Sequence, residues 1–129
     1  MKNKQLYILL LIILLPVFTY AQKAYEAVPY SGMMNKKPVK LSFADGYIGA
    51  SSITLTNSKN GRKIIFSPDA GYVGEDKKLK FHRSSPSPVL SSDYFTLINL
   101  TEYYDTLPKS INGIYYNKGK IYKIRFFKQ

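Results

Sequence analysis

The chemistry available to this chain is limited by a few residue types at regular spacing. His82 is the only histidine, and cysteine is absent. Metal sites built on paired imidazoles or thiolates are therefore excluded, and so are disulfides, a cysteine nucleophile and a lipobox acylation site. His82 lies two residues from Lys80 and four from Lys78, and no Gly-x-Ser-x-Gly elbow accompanies it, so it reads as a surface side chain and not as a catalytic base. The acids Asp69, Glu75 and Asp76 share one loop. They lack the alternation and terminal glutamate of a calcium loop and read as turn formers. Gly71-Tyr72-Val73-Gly74 is too short for a phosphate-cradling loop. The expectation is a chain with no metal, no cofactor and no catalytic residue.

Cations supply the more regular pattern. Lys37 to Phe43, KPVKLSF, and Lys120 to Phe126, KIYKIRF, set lysine or arginine against apolar residues at alternate positions, and Lys78 to His82 repeats the beat. With a period of two, Val39, Leu41, Phe43, Leu79, Phe81, Tyr122, Ile124 and Phe126 point one way, while Lys40, Ser42, Lys78, Lys80, His82, Lys123 and Arg125 point the other. An antiparallel sheet with one solvated face gives this pattern, and strand lysines also discourage edge-to-edge aggregation. The comb is read first as a wet face. A polyanion-binding face built from Lys40, Lys80, His82, Lys123 and Arg125 is the alternative. Ten of the twelve tyrosines lie beyond residue 21, and adjacent pairs such as Tyr115-Tyr116 must send their rings to opposite faces of a strand. Tyr115 and Tyr116 therefore join the candidate binding residues.

The elements that hold these residues in place are strands. Eight are expected, over residues 25–34, 38–44, 47–56, 62–67, 78–83, 94–100, 111–116 and 120–127, forming one antiparallel meander closed into a barrel or folded into a sandwich. Asn35-Lys36-Lys37, Asp45-Gly46, Asn60-Gly61 and Asn117-Lys118-Gly119 carry tight-hairpin chemistry, because Asn and Gly accept positive φ. The segment Tyr94 to Tyr104, YFTLINLTEYY, has apolar residues compatible with a helix, but its Thr, Ile and aromatic content favours a strand.

Ahead of the strands, Met1-Lys2-Asn3-Lys4 and the apolar run Leu6 to Phe18 have the form of a signal peptide. Thirteen residues broken by Pro16 are short for a spanning helix, which needs roughly 20. Thr19 and Ala21 place the cut between Ala21 and Gln22, giving a leader over 1–21 and one all-β domain over 22–129. Cleavage removes Lys2 and Lys4, two of nineteen basic residues, and no acid, so the net charge falls from +11 to +9. An exported protein of this charge suits an acidic glycan or an envelope protein better than nucleic acid. No stable membrane anchor is expected after cleavage.

Thr19-Tyr20-Ala21-Gln22 resembles the Ala-Gln junction of exported proteins of Bacteroidota, and the Lys-, Asn-, Ile- and Tyr-rich composition is similar to theirs. Asp105-Thr106-Leu107 resembles the acceptor of the periplasmic O-glycosylation system of that group, which implies Thr106 as the acceptor. The chain as a whole resembles small secreted β-proteins of the same group, and the resemblance carries no catalytic or binding residue with it. The expected role is that of an exported, non-enzymatic β-domain with a binding or structural part at the cell envelope. A small hydrolase or lyase of acidic glycans is a further alternative.

The exported product should begin at Gln22, and its intact mass checks this. A membrane-held product retaining residues 1–21 would restore the anchor reading.

Overall fold

The structure, a computed structural model, describes residues 3–5, 7–8, 26–85 and 92–129, with Ser85 described only in its backbone. Most of the expected leader, the expected Ala21–Gln22 junction and residues 86–91 lie outside the described residues. Eight strands follow one another as β1 (Ala27–Met34), β2 (Lys37–Ala44), β3 (Ser52–Thr56), β4 (Lys63–Pro68), β5 (Leu79–Ser85), β6 (Tyr94–Ile98), β7 (Ser110–Asn117) and β8 (Lys120–Lys128). Each pairs antiparallel with the next, and β8 returns to β1 through Tyr30 opposite Lys128 and Ser31 opposite Phe127. Closure decides between the two architectures: the domain is an up-and-down barrel, with no free sheet edge.

Alternation in the strands becomes inside and outside of the barrel. Val39, Leu41 and Phe43 of β2, Phe81 of β5 and Phe126 of β8 are essentially inaccessible, whereas Lys40, Lys80, Lys123 and Arg125 are exposed. Eight strands enclose a space that side chains can fill, and here they do so with Tyr30, Phe43, Phe66, Phe81, Phe95 and Phe126. The rings meet edge to face, for instance Phe66 with Phe95 at 4.8 Å and 82°. Every residue of this core, with those packed against it, falls between Val28 and Phe126.

Phe126 fits because two inward positions beside it are empty. A Cβ on Gly32 would stand 2.8 Å from Ile124 Cγ2 and 2.9 Å from the Arg125 carbonyl, and one on Gly113 would stand 2.9 Å from Phe126 Cε2. These glycines are interior strand positions. Their work is to let β1 and β7 close over the ring from either side.

The turns divide into two kinds. Asn35 and Lys36, with φ of 47° and 64°, and Lys118 and Gly119, with φ of 49° and 77°, make two-residue turns between the pairs Met34–Lys37 and Asn117–Lys120. Their left-handed backbone matches the twist of the flanking strands. Asp45-Gly46 does something else. It starts a seven-residue connection, 45–51, with a short 3-10 turn at Ile48–Ala50 that buries Ile48 in the barrel end. Ser51 Oγ accepts a 2.9 Å bond from Ala44 N–H and pins this plug. Asn60-Gly61 likewise belongs to a longer connection, 57–62, closed by Asn57 N–H to the Arg62 carbonyl at 2.8 Å. The strand expected over 94–100 stops at Ile98, because Asn99 takes φ of 55° and turns Leu100 into the core.

The two ends of the barrel consequently differ. The connections 45–51, 69–78 and 99–109 close one end with Ile48, Val73, Leu100, Tyr104 and Leu107. Tyr30 reaches that plug and donates its hydroxyl to the Pro108 carbonyl at 2.8 Å. Burial, then the nearby Tyr104 and Asp45, raises the pKa of that hydroxyl. The other end carries the hairpins β1–β2, β3–β4 and β7–β8, the C-terminal end of β5 and the start of β6.

Gly32→Ala should destabilise the domain by about 1–3 kcal/mol, since the Arg125 carbonyl beside it belongs to backbone and cannot step aside. Thermal unfolding of residues 22–129 measures this. A drop of less than about 2 °C would show that β1 and β8 have slack there.

Candidate functional site

The outward cations do not gather in one place. Cross-strand register puts Lys80, Thr96, Ile114 and Lys123 on one rung of the outer wall, from β5 to β8. Three strand spacings separate Lys80 from Lys123, about 14 Å along the wall. The wall therefore carries two groups, one on β4–β7 and one on β6–β8 and β1–β2.

The first group centres on an aromatic stack. Tyr94 and Tyr116 lie opposite each other with ring centroids 4.6 Å apart and planes 18° apart, and Lys80 Nζ sits 4.2 Å from the Tyr94 ring. This is a cation–π geometry, and it holds the lysine against the wall. His82 opposes Tyr94 in the register, and its Nδ1 meets Asp69 Oδ1 at 2.5 Å. Asp69 is thus more than a turn former. The pair is exposed on both sides, which limits what it contributes to stability. Next to it, Ser67 Oγ donates to Ser84 Oγ at 2.7 Å, and Ser84 Oγ donates to the Ile65 carbonyl at 3.2 Å.

The second group surrounds Arg125. Its Nε donates to Asn112 Oδ1 at 3.3 Å, a long contact that fixes the side chain across β7. On one side lies a depression of about 390 Å³ bounded by Ile98, Asn112, Ile114 and Lys123. On the other is a second of about 390 Å³ bounded by Ser31, Met33, Pro38, Lys40 and Phe127. Arg125 lines both. Gly32 contributes to the second depression and Gly113 to the first, so the positions that admit Phe126 inside also shape the wall outside. Among the described residues no ion pair involves Lys40, Lys80, Lys123 or Arg125.

Tyr115 belongs to neither group. Its ring is in the barrel interior, 4.6 Å from Phe95, while Tyr116 takes the outer face as the alternation requires. Thr106 lies exposed in the connection 99–109 at the plugged end.

Inside the hairpin end is a polar cluster that sequence reasoning missed. Arg83 Nη2 donates to Asp93 Oδ2 at 2.7 Å, and Tyr115 O–H donates to the same oxygen at 2.5 Å. A bulge in β4–β5 pairing, where Ile65 faces Ser85 but Phe66 faces Arg83, sets the guanidinium 5.8 Å from the Phe66 ring. Burial first, then the Asp93 hydrogen bond and charge, push the Tyr115 hydroxyl well above the usual tyrosine range. Asp93 Oδ1 and Arg83 Nε are buried with no protein partner among the described residues. The signal was available in parity, for Arg83 is in phase with Leu79 and Phe81, and Asp93 with Phe95 and Leu97.

Among the described residues no three His, Asp or Glu side chains come together as a metal site. Comparison with family models, curated proteins and solved structures finds no match, so the site rests on its own geometry.

Tyr115→Phe should cost about 2 kcal/mol, because the lost bond goes to a charged, buried acceptor. The parent should also lose stability as pH rises above about 10. There the unfolded chain releases the tyrosine proton that the folded barrel retains, so the contribution is full below that pH and fades above it. Denaturant midpoints between pH 8 and 11 measure both, with Tyr115→Phe showing the shallower alkaline decline.

Proposed function

We propose that this chain is an exported, non-enzymatic binding domain of the bacterial cell envelope, holding an acidic glycan or an acidic envelope protein on the wall around Arg125. The observation that carries the reading is the placement of Lys40, Lys123 and Arg125 beside two depressions with apolar rims, without a carboxylate to neutralise them. A merely solvated face needs cations but not hollows. Arg125 also offers a planar donor fork suited to carboxylate or sulfate, and Asn112 already orients it. The barrel interior supports an external site as well, since large side chains fill it.

A hydrolase or lyase of acidic glycans is the second reading, favoured by the Asp69–His82 pair alone. A carboxylate on Nδ1 leaves Nε2 facing outward, as in general-base relays, with Lys80 and Tyr94 nearby.

One experiment addresses both. At ~0.15 M salt, where weak attraction between exposed charges is screened, residues 22–129 should bind heparin measurably. Joint replacement of Lys40, Lys123 and Arg125 by Gln should weaken binding by about tenfold or more with folding unchanged. Equal binding by the variant, or none by the parent, would remove the wall as the site. Shortened or unsaturated chains after prolonged incubation, lost in His82→Asn, would favour the enzyme.

A further inference from the structure

Charge is divided between the two ends of the barrel. At the hairpin end the first turn carries Lys36 and Lys37, the second connection Lys59, Arg62 and Lys63 beside it, and the fourth Lys118 and Lys120, all exposed. The remaining connection there, 86–93, holds no charged residue except Asp93, which Arg83 occupies. Every other carboxylate of the chain lies at the opposite end, in the connections 45–51, 69–78 and 99–109 or ahead of β1. In an up-and-down barrel alternate connections share an end, so topology alone assembles these seven cations on one rim.

Behind the rim stand exposed apolar side chains. Met33 and Ile121 are each 60% exposed on the outer wall, two residues from the turns at Asn35-Lys36 and Lys118-Gly119. At about 3.3 Å per residue they sit within roughly 7 Å of those turns. Tyr116, with a polar tip on an apolar ring, is the cross-strand partner of Ile121.

We propose that the hairpin end docks, tip first, on a bilayer surface bearing anionic phosphate headgroups. The cations would meet the phosphates, and Met33 and Ile121 would enter the headgroup boundary, whose depth of about 5–10 Å matches their set-back. Lysine suits this work, since its flexible stem lies along apolar surface while the ammonium stays with the headgroups. A soluble polyanion would need the cations but gain nothing from Ile121, and that difference favours the bilayer. The far end, where seven carboxylates outnumber Lys77, Lys78, Lys109 and Lys128, would be held away from the surface by the same field that draws the rim in. This docking does not rest on the wall around Arg125 and uses different residues for its test.

Sedimentation of residues 22–129 with phosphatidylglycerol–phosphatidylcholine vesicles, and with pure phosphatidylcholine vesicles, tests the docking. Partition should be strong into the first, weak into the second, and reduced by added salt. Each rim cation near the surface is worth about fivefold, so Lys37→Gln, Arg62→Gln and Lys120→Gln together should lower partition on the order of 100-fold. Ile121→Ser should lower it roughly tenfold, while Lys78→Gln and Lys109→Gln together, at the opposite end of the barrel, should leave it within about threefold of the parent. Circular dichroism establishes that each variant is folded. Absence of partition into the anionic vesicles, or a rim variant that binds like the parent, would overturn the proposal. Full displacement by soluble polyphosphate with Ile121→Ser unaffected would also overturn it and assign the rim to a free polyanion.

Discussion

Phe126 can occupy the barrel only because Gly32 and Gly113 present no side chain on either side of it. β8 has to pair with β7 through Ile111–Phe126 and with β1 through Ser31–Phe127, and both pairings bring backbone close to that ring. Closure then removes the sheet edges and buries one face of all eight strands at once. The other core contacts are shared among neighbours, and a lost methyl there leaves the topology standing. A side chain at Gly32 would press on the Arg125 carbonyl, at the seam that makes the sheet a barrel.

Closure has a consequence for function, because a filled barrel must do its work on the outside. The six fully buried rings, with Tyr115 beside them, occupy the space that a wider barrel would leave for a ligand. Inside, the charges Arg83 and Asp93 sit at the hairpin end, where a bulge in β4–β5 lets the guanidinium reach across to the acid and to Tyr115. Arg83 is partly solvated and Asp93 is not, so the pair behaves as an ion pair anchored at the rim of the core. Among the described residues of the barrel the cations left over are exposed. Lys77, Lys78, Lys109 and Lys128 lie at the plugged end, and the others divide between the outer wall and the rim of hairpins.

The regular strand grammar also explains why the wall is not a single site. Alternation sends every second residue outward, but the register sets how far apart those residues fall. Lys80 and Lys123 share a rung yet stand three strands apart, with Lys80 held by the Tyr94 ring. A common sequence beat therefore produces two local chemistries. One is aromatic, with a histidine–carboxylate pair, and the other is guanidinium-centred with apolar margins.

Strand number, the inward and outward sets, and two of the tight turns were legible in the sequence, because period-two alternation and left-handed Asn, Lys and Gly positions are local properties. So was the opposition of Tyr115 and Tyr116. The choice of barrel over sandwich was not, for it depends on β8 meeting β1, a pairing between the two ends of the domain that no local pattern encodes. Asp45-Gly46 carries hairpin chemistry yet opens a plug, since burying Ile48 against the open barrel end outweighs a shorter turn. Arg83, Asp93 and Tyr115 met through a bulge and a register, and Asp69 found His82 across two strands, so their chemistry was decided by tertiary structure. What each residue could do was written in its type. Which partner it would do it with followed from closure, because only a closed barrel fixes the distances between strands far apart in the chain.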